Sequence, residues 1–138
     1  MPISVQNHYV YDDPDVIEVD TVPFDTLLDQ RVFDLILMDI EGSEYFALKG
    51  MQRILSEAKA LSVEFLPHHL ICVAGIQVDA FLSTILPHFN WMYVPRHNRV
   101  VAKDEILENI REIYRANEGH EGIYFLKEIS PEWLESRG

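Results

Sequence analysis

Two short apolar runs, separated by a stretch long enough for a helix, constrain this chain more than any other feature. Leu35–Met38 is wholly apolar and residues 61–66 are nearly so. Between them, Ala47, Leu48, Met51, Ile54 and Leu55 recur at helical spacing. A strand–helix–strand unit of about thirty residues crosses over right-handed and leaves its two strands parallel. A run without alternation predicts that Leu35–Met38 is a parallel strand covered on both faces. Gly50 interrupts the helical stripe and predicts a kink or two short helices, and Pro67 closes the second strand.

The flanking sequence continues the alternation of strands and helices. Residues 17–22 alternate apolar and acidic side chains, the period of a half-exposed strand, and Pro23 opens a helical turn over residues 24–29. Asp79 is placed to cap a helix carrying Phe81, Leu82, Ile85 and Leu86, which Pro87 ends. Trp91–Val94 reads as a strand. A helix from near Asp104 turns Ile106, Leu107, Ile110, Ile113 and Tyr114 inward, with Gly119 just past its end. Residues 122–126 form the last strand, and Trp133 and Leu134 pin the tail. The order is that of an α/β layered sheet in one domain, residues 1–138: an irregular lead-in (1–16), a core (17–127) and a tail (128–138).

Charge narrows the function classes. Eleven Lys and Arg stand against 23 Asp and Glu, a formal net charge of −12. Phosphate backbones require clustered basic charge, so nucleic acid is excluded as an expected partner, and an anionic membrane surface with it. The single cysteine, Cys72, cannot form an intramolecular disulfide, and its apolar neighbours predict an inert thiol. With no basic-then-apolar leader and no apolar run of membrane-spanning length, the expected setting is cytoplasmic.

Candidate chemistry lies where the first buried strand ends, at Asp39-Ile40-Glu41-Gly42-Ser43-Glu44. Ligands of open parallel sheets bind beyond the carboxyl ends of the strands. Asp39 and Glu41, two positions apart, are expected on the same side. Glu64 ends the neighbouring strand, about 4.8 Å away, with His68 and His69 just beyond Pro67. Asp39, Glu41, Glu64 and a histidine, taken as His68, form a candidate set for Mg²⁺. Alternatively, one carboxyl raised by its like-charged neighbours serves as general base. A third reading is structural: Glu41 and Glu44 complement a helix N-terminus and Glu64 pairs with a cation. Spacing alone favours that third reading. Arg96, His97, Arg99 and Lys103 form the one basic cluster, in the connection after Trp91–Val94, either steering an anionic substrate or merely solvated.

One combination of segments is specific. Val22-Pro23-Phe24-Asp25-Thr26-Leu27-Leu28 is followed by Phe33-Asp34-Leu35-Ile36-Leu37-Met38-Asp39-Ile40-Glu41-Gly42-Ser43-Glu44, then by Ala47-Leu48-Lys49-Gly50 and Leu61-Ser62-Val63-Glu64-Phe65. Over residues 17–66 this resembles the FkbM-type family of S-adenosylmethionine-dependent methyltransferases, with its LD-x-L element, D-x-E-G-x-E strand end, L-x-G and acidic next strand. Met38 stands where the family often has lysine, and no G-x-G loop occurs.

The resemblance implies a partial Rossmann-like methyltransferase sheet: parallel strands with an antiparallel terminal strand, helices on both faces, and the family's C-terminal half represented. It implies methyl transfer from S-adenosylmethionine to a hydroxyl of a small molecule or sugar. Asp39 or Glu64 would be base or metal ligand, and Glu41 would position substrate. Some related O-methyltransferases hold a divalent ion at this pair of strand ends. The competing expectation is a non-enzymatic remnant or subunit, its exposed sheet edge covered by a homodimer or by a separate N-terminal partner.

Overall fold

The computed structural model describes residues 17–136. The sheet is built outward from the strand–helix–strand unit. Strand β1 (Leu35–Met38) pairs in parallel with β2 (Ala60–Phe65), Leu35 opposite Ala60 and Met38 opposite Val63. Between them run α2 (Glu44–Lys49) and α3 (Gln52–Glu57), two helices broken at Gly50 as the sequence predicts. Strand β3 (Trp91–Val94) turns back through Pro95–His97 into β4 (Arg99–Ala102), and α6 (Lys103–Arg115) leads to β5 (His120–Leu126). The strand order is β1-β2-β5-β3-β4, so the last strand inserts between β2 and β3, antiparallel to both.

Alternation along the strands decides where the core lies. Leu61, Val63, Ile123, Phe125, Met92 and Val94 point to one face and are at most 1% exposed. Leu48, Leu55, Phe81, Leu82, Ile106 and Ile110 meet them there from α2, α3, α5 (Val78–Ser83) and α6. Full burial of each such side chain contributes about 1.5–3 kcal/mol before entropy is counted. Tyr93 and Tyr124 point the other way, where α7 (Pro131–Glu135) lays Trp133 edge-on against Tyr93, ring centroids 5.0 Å apart.

A short helix holds the break at Gly50. Helix α1 (Phe24–Leu27) packs so close that a Cβ at Gly50 would lie 3.2 Å from Pro23 Cα. The Asp25 backbone N–H donates to Gly50 O at 3.0 Å. The Asp25 carboxylate accepts from the N–H groups of Arg53 (2.8 Å) and Ile54 (3.0 Å). Those are donors of the first turn of α3, whose own N-cap residue, Met51, offers no side-chain acceptor. The Pro-Phe-Asp segment and the Leu-Lys-Gly segment are therefore two halves of one joint. Asp25→Ala is expected to cost about 1–2 kcal/mol in urea unfolding, the usual loss for an N-cap. An unchanged midpoint would show that water replaces the cap.

Several expectations change. Residues 17–22 form no strand; Ile17, Val19 and Val22 are 78%, 67% and 59% exposed, and no described strand pairs with them. β1 lies at the sheet edge among the described residues, as the competing expectation of an exposed edge over residues 35–40 has it, but it is covered on one face only, with Leu35 48% and Leu37 70% exposed. Helices on both faces reduce to α7 alone on the second face among the described residues. Asp79 does not cap α5; it lies inside the first turn and takes two hydrogen bonds from Arg111. Asn117, at φ 53°, closes α6 in place of Gly119. Glu118 N bonds Ile113 O and Asn117 N bonds Tyr114 O, the paired bonds of a Schellman end. The lead-in over residues 1–16 lies outside the described residues.

Candidate functional site

Because β5 runs antiparallel to both β2 and β3, the carboxyl ends of β1, β2 and β3 share one end of the sheet. The chain leaves β1 through Asp39 and Ile40 and reverses at once, Ser43 N donating to Ile40 O at 3.3 Å. Both central residues are left-handed, Glu41 at φ 56° and Gly42 at φ 99°. Gly42 has a steric reason too, since a Cβ there would lie 2.7 Å from Val73 Cβ. Glu41 holds a conformation that costs an ordinary residue roughly 1–2 kcal/mol. The buried Glu44 fastens the turn from behind, its Oε1 accepting from Ile40 N at 2.9 Å. Glu44 lies in the first turn of α2, where the structural reading puts it, but its hydrogen bond goes to the turn before the helix.

Glu64 comes from the next strand, at an irregularity. Val63 pairs with Ile123 but Phe65 with His120, so two residues of β5, Glu121 and Gly122, stand opposite Glu64 alone. Such bulges re-aim side chains at strand ends. The Glu64 side chain is 11% exposed, and its Oε1 is buried without a hydrogen-bond partner. His69 Nδ1 stands 3.4 Å from that oxygen, out of line for a hydrogen bond, while His69 Nε2 stands 3.9 Å from Glu41 Oε2.

The histidine beside Glu64 is thus His69 and not His68. After β2 the chain enters α4 (Pro67–His69), which widens into a π-helical turn over Leu70–Ala74 and ends at Gly75, φ 68°. Successive residues of a helix point about 100° apart, so only one of the pair faces the sheet. His68 is exposed, its ring set edge-on to His69 at 4.4 Å between centroids. Pro67 at the first helical position was the available signal that this is a helix rather than a loop. Cys72, for which the sequence predicts an inert thiol, is exposed on the same turn.

Asp39 and Glu41 do not act as one pair; the reversal sends them into two groups that meet at Glu64. Ligating atoms of Asp39, Glu44 and Glu64 lie within 4.8 Å of one another, as do those of Glu41, Glu64 and His69. The first group offers oxygen atoms only, the donor type that hard cations prefer. Burial, then the Asp39 charge and a hydrogen bond shared with Asp39, then Glu41 and Glu44, push the Glu64 carboxyl up to about 7. Beside it a void of about 10 Å³, lined by Gly42, Glu44, Glu64 and His69 among others, is about the size of one water. Asp39 and Glu41, both exposed, lie on the solvent side of Glu64.

The four basic residues after β3 fall on three consecutive elements. Arg99 and Lys103 belong to β4 and the start of α6, Arg96 NH1 bonds Gly119 O at 3.1 Å, and His97 bonds Glu118 at 2.7 Å. Among the described residues no helix is long and apolar enough to cross a membrane.

An acidic turn closing a parallel strand pair, with a buried acid on the neighbouring strand, places this chain among α/β proteins that present a crevice at the strand ends. The family model described as "Methyltransferase FkbM domain" matches residues 2–83, more than half of the chain. The chain belongs to the FkbM methyltransferase domain family. No curated protein and no solved structure matches it.

Proposed function

We propose that this domain serves an S-adenosylmethionine-dependent O-methyltransferase of Rossmann-like architecture, with Glu64 as general base toward a hydroxyl of a small-molecule or sugar acceptor. The reading rests on the placement of Glu64, its side chain 11% exposed at the strand end with Asp39, Glu41 and Glu44 close by. A carboxyl that titrates at about 7 is half ionised at neutral pH and basic enough to take a hydroxyl proton. An ordinary carboxylate would be too weak a base.

The crevice fits the donor by charge. Asp39 and Glu41 lie on its solvent side, and Glu64 Oε1 lies behind them without a hydrogen-bond partner, a setting that favours a cation. When bound, S-adenosylmethionine supplies an electrophilic methyl group on a positively charged sulfur, and Asp39 and Glu41 would hold that cationic end. Glu64 takes the proton from the acceptor hydroxyl onto a carboxylate oxygen. Asp39 shares that proton, and His69 Nδ1 stands 3.4 Å from Oε1. Glu44 keeps the Glu41–Gly42 turn in place.

The test is methyl transfer from labelled S-adenosylmethionine to a panel of hydroxyl compounds across the pH range, with Glu64→Gln beside the natural protein. Transfer to no hydroxyl compound would contradict the reading. Activity that requires added Mg²⁺ and disappears on chelation would reassign Asp39, Glu44 and Glu64 to an ion.

A second reading concerns β1. Its outer edge is unpaired among the described residues, and Phe24, Leu28, Phe33, Leu35 and Leu37 help line an apolar recess of about 290 Å³ along it. We propose that a second copy of the chain pairs there, edge to edge. Sedimentation would then show a reversible dimer that Leu37→Lys abolishes. A monomer at every concentration contradicts this pairing, and saturation of the edge by a separate N-terminal partner would replace it.

A further inference from the structure

A second constellation of metal-type side chains lies at the same end of the sheet, outside the Glu64 crevice. The 3₁₀ turn after β3 carries His97, the segment after α6 carries Glu118, and β5 opens with His120. His97 Nε2 is 2.7 Å and His120 Nε2 is 3.2 Å from the same oxygen, Glu118 Oε2. The two imidazole rings stand edge-on, 5.2 Å apart. His120 is 3% exposed, while the His97 and Glu118 side chains are 34% and 33% exposed. One ligating atom from each residue lies within 4.8 Å of the others.

Local structure fixes all three. The Schellman end of α6 sets Glu118 in place through its N–H bond to Ile113 O. Asn98, at φ 48°, turns the chain from Pro95–His97 into β4 and so presents His97. The bulge opposite Glu64 pairs His120 with Phe65.

We propose that His97, Glu118 and His120 bind one zinc-type divalent ion through the two Nε2 atoms and a Glu118 carboxylate oxygen. Zinc bonds of about 2.0–2.2 Å in a tetrahedron set donor atoms roughly 3.3 Å apart, and the nitrogens already stand 2.7 and 3.2 Å from the oxygen. Small rotations of the two partly exposed side chains open that space. Two imidazoles and one carboxylate select zinc over magnesium, which prefers an all-oxygen shell. Three protein ligands leave one position for water or an anion. A cleft of about 540 Å³ lined in part by Arg96, His120, Glu121 and Tyr124 adjoins the site, and the Arg96 guanidinium there suits an anionic fourth ligand.

Zn²⁺ titrated into the metal-free, tag-free chain tests this by calorimetry, with Co²⁺ replacing it for absorption spectroscopy. The expected result is one equivalent bound, a four-coordinate Co²⁺ spectrum and no competition from Mg²⁺. His97→Ala and Glu118→Gln should each weaken binding at least roughly 100-fold, since even outer-shell partners of zinc ligands cost 10–100-fold. His69→Ala, at the other cluster, should bind as the natural chain does. No saturable binding in the micromolar range overturns the proposal. So does binding lost in His69→Ala and kept in both His97→Ala and Glu118→Gln.

Discussion

Replacing Glu64 by glutamine is expected to lower methyl transfer by about 10²–10⁴-fold, the usual contribution of a positioned general base. The substitution keeps shape and burial but removes the proton-accepting carboxylate. In the natural protein the rate should rise with pH through an apparent pKa of about 7, because only the ionised carboxyl accepts a proton. In Glu64→Gln that rise should vanish together with the activity. A loss of less than about tenfold would remove Glu64 from the proton transfer. A pH rise that persists in the variant would assign the titration to another group.

The same carboxyl should leave a mark on stability. Its folded-state value of about 7 lies above its ordinary value of 4.5. Between those values the folded state holds a proton that the unfolded state has released, so unfolding free energy falls as pH rises from 4.5 to 7. At about 1.4 kcal/mol per pH unit, the folded protein is about 3 kcal/mol less stable above this window than below it, from this group alone. Glu64→Gln should therefore be more stable than the natural protein at pH 8, by up to about 3 kcal/mol, and the advantage should fade toward pH 4. His88 and His120, whose imidazoles burial holds below their ordinary range, cancel in the difference between the two proteins. Urea unfolding of both proteins across that range checks it, and parallel curves would contradict it.

The two apolar runs and the glycine break were legible because they are local. Short apolar runs placed β1 and β2, helical spacing placed α2 and α3, and the last strand, read over residues 122–126, begins two residues earlier at His120. Strand β4 was missed because Arg99-Val100-Val101-Ala102 is short and sits within a basic stretch that reads as a loop. The exposure of Leu37 was missed because an apolar run does not reveal whether a neighbour covers its second face.

At the site, Asp39, Glu41 and Glu64 were legible as carboxylates at strand ends, and the structure brings the first two, in separate groups, to Glu64. Their division into two groups was not, since it depends on left-handed backbone at Glu41 and Gly42. Choosing His69 over His68 required knowing that Pro67 starts a helix. The cap that Asp25 provides to Arg53 and Ile54, 28 and 29 residues away, is a tertiary contact that no local pattern encodes.

Everything proposed for Glu64 requires that its carboxyl carry a proton into the neutral range. Following its side-chain carboxyl carbon by ¹³C NMR through a pH titration, assigned by its absence in Glu64→Gln, measures this most directly. A midpoint of about 7 is the expected result. A midpoint at its ordinary value of 4.5 would contradict the account and leave Glu64 an ordinary surface-type acid.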